Sequence, residues 1–284
     1  MSGGLLKKLW SLILLGALAS VLLGGSQVMA QTFTLTHNGW TYFENISGQG
    51  LGDFKDTNGT DHMFRNWWWY RTNLDSAEKP LSNLVVPASG GANNVQLVFR
   101  EDAGNLPNAL RIQLDYTLTG VSANAAFVNV VWSVQHIYSP LPQPITVDFF
   151  AYSDFDLNGT SGGDTASSQG LGHVKYKEGN TEVDVIASQF DLVGYDIDNY
   201  PNLLNLLNDS AVYNVSGLAG GTGDMTNVFQ WRATIGFGQE LRGSLTKVVT
   251  LNTPPPGPVI PEPGTWALML SGLAPVALRL RKKA

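Results

Sequence analysis

Asp154-Phe155-Asp156-Leu157-Asn158-Gly159-Thr160 is the segment whose residue types and spacing come nearest to a chemistry. Asp-x-Asp-x-Asn-Gly places oxygen donors at alternate positions. Its glycine permits the sharp turn that lets them converge on a hard cation such as calcium, as at the start of an EF-hand loop. The twelfth position, where a bidentate Glu closes such a loop, is Thr165, with Asp164 beside it. The expected calcium ligands are therefore Asp154, Asp156, Asn158 and Asp164. The flanks look like strands rather than helices, and the same residues also read as an acidic strand running into an Asn-Gly turn. Two further acidic groups, Asp191 with Asp196 and Asp198, and Asp53 with Asp56, Asn58 and Asp61, fit either a cation loop or ordinary polar turns.

Arg65-Asn66-Trp67-Trp68-Trp69-Tyr70-Arg71 is the second unusual stretch. Strand alternation sets Trp67 and Trp69 on one face and Trp68 and Tyr70 on the other. An exposed aromatic pair would stack on the C–H faces of sugar rings, with Arg and Asn near the hydroxyls. Rings filling both sides of a packed interior are the competing reading.

Other chemistries find no pattern. The four His, at 37, 62, 136 and 173, show no paired spacing for zinc, and with no cysteine there is neither a thiolate site nor a disulfide. A G-x-S-x-G elbow, a P-loop and a dinucleotide glycine fingerprint are also missing from the sequence. Carboxylate pairs for glycoside hydrolysis are a three-dimensional property, so a secreted carbohydrate-active enzyme stays as the alternative reading.

The elements that must position these residues are strands. Leu110 to Leu118 alternates apolar and polar without a break, as a half-buried strand requires. Thr32–Thr36, Val95–Phe99, Phe127–Tyr138, Thr181–Ala187, Val228–Phe237 and Leu245–Leu251 read similarly. Ile145–Phe150 suits a strand buried on both faces. Gly-, Asn- and Pro-rich turns separate them, and only Leu203–Leu207 suggests a short helix. The expected fold is all-β, a β-sandwich or jelly-roll-like single domain, flanked by an N-terminal signal helix and a short C-terminal hydrophobic helix.

Both ends carry addresses. Lys7 and Lys8 precede an apolar run, Leu9 to Leu23, and Val28-Met29-Ala30 fits the small-residue rule, so cleavage is expected between Ala30 and Gln31. That makes 1–30 a signal peptide and 31–252 an extracellular all-β domain. Residues 253–260 are a Pro-rich linker, stiff and extended. In 261–284, Pro261-Glu262-Pro263 is followed by an apolar run, Trp266 to Leu278, and the basic end Arg279-Leu280-Arg281-Lys282-Lys283-Ala284. Terminal basic residues keep that end in the cytoplasm and leave the body outside.

This tail resembles the PEP-CTERM sorting signal of exported bacterial proteins. The matching residues are Pro261-Glu262-Pro263-Gly264-Thr265-Trp266-Ala267-Leu268-Met269-Leu270, then Gly272-Leu273-Ala274 and the basic end. Gly264 stands where Ser is common, and Pro275 interrupts the span. The resemblance implies recognition of Pro261, Glu262 and Pro263 by an exosortase-type processing enzyme, transient anchoring in the inner membrane through 265–280, and association with exopolysaccharide and biofilm.

Removing Lys7, Lys8, Arg279, Arg281, Lys282 and Lys283 from the 17 basic residues, and Glu262 from the 23 acidic ones, leaves 11 and 22. A body near −11 repels nucleic acid and anionic membrane, and suits calcium and neutral polysaccharide. The functional expectation is a non-enzymatic protein of the cell envelope or extracellular matrix, exported and processed at its tail, binding polysaccharide or calcium.

Overall fold

The computed structural model describes residues 32–46, 50–140 and 143–252. The signal peptide, the Ala30/Gln31 junction, the Pro-rich linker, Pro261-Glu262-Pro263 and the two expected terminal helices lie outside them. Among the described residues no helix is long and apolar enough to cross a membrane.

The protein is all-β, and its strand ladders are antiparallel. The chain opens with β1 (Thr32–His37), β2 (Trp40–Asn45) and β3 (Gly52–Lys55), which form a three-stranded sheet. Next come β4 (Arg65–Thr72), β5 (Lys79–Pro80), β6 (Leu84–Gly90), β7 (Asn94–Ala103), β8 (Leu106–Ser122), β9 (Ala125–His136) and β10 (Ile145–Asp154). After a single 3-10 turn at Leu157–Gly159 follow β11 (Asp164–Gly170), β12 (His173–Glu178), β13 (Thr181–Ala187) and β14 (Leu192–Asn199). Helix α1 (Asn202–Asn208) leads to β15 (Gly220–Gly223), β16 (Met225–Ile235) and β17 (Glu240–Leu251). A five-stranded sheet runs β14-β16-β10-β4-β5, and a nine-stranded one runs β15-β11-β12-β13-β17-β9-β8-β7-β6.

Period-two patterning decides what each strand buries. Along β8, Leu110, Ile112, Leu114, Tyr116 and Leu118 point inward and the residues between them stay half-exposed. On the opposing five-stranded sheet, Trp68, Tyr70, Phe149, Ala151, Phe229 and Trp231 enter the same core. Rings from the two sheets meet there: Trp132 of β9 lies 4.7 Å from Phe149 and 4.9 Å from Trp231, centroid to centroid. The three-stranded sheet adds Trp40, Tyr42 and Phe54, and Phe33 packs 4.9 Å from Tyr116. Each such ring removed from water contributes roughly 1.5–3 kcal/mol, which supports a chain that has no disulfide.

A second, smaller core lies on the outer face of the five-stranded sheet. Leu203, Leu204 and Leu207 of α1, spaced to share one helical face, press with Tyr213 onto Trp69, Phe150, Tyr152 and Val228. That cover is why β10 is buried along nearly all of both faces.

Candidate metal centre

β10 ends on Asp154, which is fully buried. Its Oδ2 accepts from the Tyr152 hydroxyl at 3.4 Å, and its Oδ1 meets no donor. Two residues on, Asp156 opens the 3-10 turn, where its backbone carbonyl accepts the Gly159 N–H. Asp224 stands at the corner between β15 and β16, also with a donorless Oδ1. Asp154, Asp156 and Asp224 each offer an oxygen, and these oxygens lie within 4.8 Å of one another.

Asp164 joins them from a third direction. It is the first residue of β11, in register with Gly223 and so beside Asp224. It is fully buried, and its carboxylate oxygens make no well-formed hydrogen bond, the Leu157 backbone alone lending them partial support. Gly223 has φ +147°, and a Cβ there would meet Asn199 Oδ1 at 2.4 Å, so the corner that carries Asp224 requires glycine.

Burial and mutual repulsion raise these acids together. Burial foremost, then the charges of Asp224 and Asp156, push Asp154 up to about 8, against the opposing pull of Arg65. Asp156 rises to about 6 through burial and then Asp224 and Asp61. Asp164 rises to about 7 through burial, Glu178, Asp156 and Asp224, offset by the Leu157 backbone. Burial also raises Asp224. Carboxylates so placed must either take up protons or share a cation. The donor set is all oxygen and mostly carboxylate, which matches calcium and gives a soft metal no ligand.

Of the four sequence-derived ligands, the fold brings Asp154 and Asp156 together with Asp224, sets Asp164 in the neighbouring register position beside Gly223, and turns Asn158 away. Asn158 sits at φ +58° ahead of Gly159 at +72°, the left-handed pair of an Asn-Gly turn. The turn swings its side chain onto the β12–β13 hairpin, where Nδ2 donates to Glu178 Oε2 at 2.9 Å and Oδ1 accepts from Thr181 Oγ1 at 2.6 Å. The linear EF-hand-like loop gives way to separate elements: the end of β10, the start of the 3-10 turn and the corner between β15 and β16 supply the converging oxygens. Asp224 had no local signal in the sequence, since it lies 60 residues or more from the others.

The other two acidic groups are turn fittings. Asp196 accepts from the N–H groups of Ser216 and Leu218 and from the Tyr213 hydroxyl. Asp56 caps the amides of Asn58 and Thr60, and Asp61 Oδ1 accepts from Phe54 and Met63. Strand alternation sorts the aromatic stretch as expected, but Trp68, Trp69 and Tyr70 are each no more than 2% exposed. Trp68 and Tyr70 fill the main core, while Trp69 and the half-buried Trp67 belong to the second one. Trp67, Trp68, Trp69 and Tyr70 therefore form no sugar-stacking platform, because α1 and its loop cover the outer face.

Next to the carboxylates opens a cleft of about 350 Å³. Asp156 and Asp61 line it, facing apolar walls of Phe43, Leu51, Met63 and Phe64.

No protein-family model matches the chain, and no curated protein matches it. Several solved structures have a similar backbone. A bacterial glucoamylase complexed with acarbose does so with a TM-score of 0.47 at 10% identity, over 79% of this chain and 31% of its own. A GalM/aldose epimerase homologue from C. elegans has a TM-score of 0.45 at 7% identity, over 78% of this chain and 99% of its own. A polysaccharide lyase reaches 0.44 at 11% identity, over 78% and 34%. The chain spans about a third of the glucoamylase and of the lyase. Likenesses this distant carry no statement of function.

Proposed function

We propose that this chain is an exported β-sandwich protein of the cell envelope or extracellular matrix that holds a calcium ion in the Asp154, Asp156, Asp164 and Asp224 cluster. The observation that carries the cation is the convergence of oxygens from Asp154, Asp156 and Asp224 within 4.8 Å of one another, with the fully buried Asp154 keeping a donorless Oδ1. A buried ionised carboxylate without donors is costly unless paired or metal-bound. Export rests on the two terminal signals: removal of 1–30, an exosortase-type enzyme reading Pro261, Glu262 and Pro263, and transient anchoring through 265–280. The two ideas support one another. A cysteine-free exported domain draws stability from its core or from ions, and extracellular modules bind calcium at roughly 0.1–1 mM. The facing of the five- and nine-stranded sheets across one core supports the sandwich architecture.

The enzyme reading has one observation in its favour: Asp61 and Asp156, both raised to about 6, line the same cleft. Asp61, however, spends Oδ1 on the amides of Phe54 and Met63, which makes it a turn anchor. A non-enzymatic binding role therefore accounts for more of the site.

The test is thermal unfolding with millimolar calcium and with EDTA. A ligand specific to the folded state adds about 2.7 kcal/mol at 100 times its dissociation constant. Calcium is expected to raise the Tm, EDTA to reverse the rise, and Asp224→Asn or Asp164→Asn to abolish it. An unchanged Tm in the parent protein sinks the cation reading.

A further inference from the structure

We propose that the cleft beside the carboxylate cluster binds a saccharide, whose vicinal hydroxyls complete the coordination of the bound cation. The inference rests on the cation reading above. Asp156 is the link, because it belongs to the cluster on one side and lines the cleft on the other. Asp154 is fully buried, whereas Asp156 and Asp224 are half-exposed, so the cluster reaches solvent through those two, of which Asp156 lines the cleft.

The lining selects the ligand class. Its polar side chains among the described residues, Asp53, Asp61 and Asp156, accept hydrogen bonds and donate none when ionised, and no basic residue is among those lining the cleft, Lys55 being paired with Asp53. A ligand there must bring donors. Sugar hydroxyls do so, and the same oxygens ligate a hard cation. Peptide carbonyls would face like partial charges. A free anion would meet a body whose acidic residues outnumber its basic ones two to one.

The apolar part of the lining suits the C–H face of a sugar ring. Phe43, Leu51, Met63 and Phe64 form it, and Phe64 and Leu51 remain 38% and 39% exposed at the mouth. Phe64 is held in place: the Arg65 guanidinium lies 4.9 Å from its ring centre, and Tyr200 meets it edge-on at 6.4 Å. An aromatic fixed before binding loses little freedom on binding. The volume of about 350 Å³ is at the small end of ligand pockets, about 300–1,000 Å³, and fits a mono- or disaccharide unit. Saccharide recognition thus moves from the buried Trp67–Tyr70 strand to the residues just before it.

The experiment is titration calorimetry on the full chain with mannose, galactose and their disaccharides, in millimolar calcium and in EDTA, alongside the calcium-induced shift in Tm. Binding in calcium that disappears in EDTA is expected. Phe64→Ala should weaken it roughly tenfold and leave the calcium shift intact. Leu51→Glu, at an exposed position, should do the same by crowding the mouth with charge. Asp224→Asn should abolish both readouts. A calcium shift with no saccharide binding, or saccharide binding equal in EDTA, overturns this inference and leaves the cation reading standing. Absence of the calcium shift removes the cation reading itself.

Discussion

Lys247 and Glu44 are joined through one side chain, Asn66, inside the main core. Lys247 Nζ donates to Asn66 Oδ1 at 2.5 Å, and Asn66 Nδ2 donates to Glu44 Oε2 at 2.8 Å. The hydroxyls of Tyr42 and Tyr116 also donate to Glu44, at 2.9 and 3.1 Å, and Trp68 Nε1 donates to Tyr116 at 2.7 Å. The network ties β2, β4, β8 and β17 together, and its members are at most 2% exposed. Removing one end strands the rest. Lys247→Met is expected to cost about 3 kcal/mol, and Glu44→Gln with Lys247→Met together to recover most of it. Urea unfolding of the single and double variants measures the difference.

The same lysine gives a pH signature. Burial lowers Lys247 to about 7, against the opposing charge of Glu44. Its folded pKa is thus below its unfolded one, near 10.5, so between these values the unfolded chain binds more protons. Its contribution to stability is present above about 10.5 and is lost as the pH falls through about 7. Urea midpoints are expected to show a rising component between pH 7 and 10 that Lys247→Met removes. Curves of equal slope in both proteins would refute the assignment.

Arg71 fastens the loop after α1 to the five-stranded sheet. Its two terminal nitrogens reach Glu78 and Asp148, each at 2.5 Å, and also the Tyr213 carbonyl and Asn214 Oδ1. Arg71→Met leaves the buried Glu78 without its cation, while Asp148 keeps Arg232 Nε and Gln230 Nε2, each at 2.6 Å, at an expected cost of about 3 kcal/mol. Arg71→Lys should recover less than half, since one ammonium cannot replace the planar fork. Hydrogen exchange at the amides of Tyr213 and Val215 should quicken in both variants. Unchanged exchange would mean the α1 leucines alone hold the loop.

Trp68 separates packing from recognition. It stacks on Phe149 at 5.3 Å and is 2% exposed. Trp68→Ala is expected to lower stability by about 3–5 kcal/mol, read by denaturant midpoint. A variant of full stability with weakened saccharide binding would restore the platform reading.

The tail prediction stands on sequence alone. Glu262→Ala should block processing in the native host and leave the full-length chain in the membrane fraction. Normal release of the variant would remove the support for an exosortase-type partner.

Sequence by itself determined what depends on neighbours along the chain. Period two placed Leu110, Ile112, Leu114, Tyr116 and Leu118 inward, and split Trp67 and Trp69 from Trp68 and Tyr70. The spacing of three leucines set α1, and Asn158-Gly159 set a left-handed turn. Lys247 was not legible: it shares a face with Leu245 and Val249, but a lysine in that register reads as surface until the Glu44 partner is known. Tertiary structure decided whatever needs distant segments to meet. Only the cover of α1 over the five-stranded sheet buries Trp69, Phe150 and Tyr152. Only the pairing of β16 with the end of β10 brings Asp224 to Asp154 and Asp156 while the turn carries Asn158 off. The physical reason is range. Backbone sterics and side-chain period act over a few residues, whereas a coordination cluster is set by where strand ends converge, which no local spacing encodes.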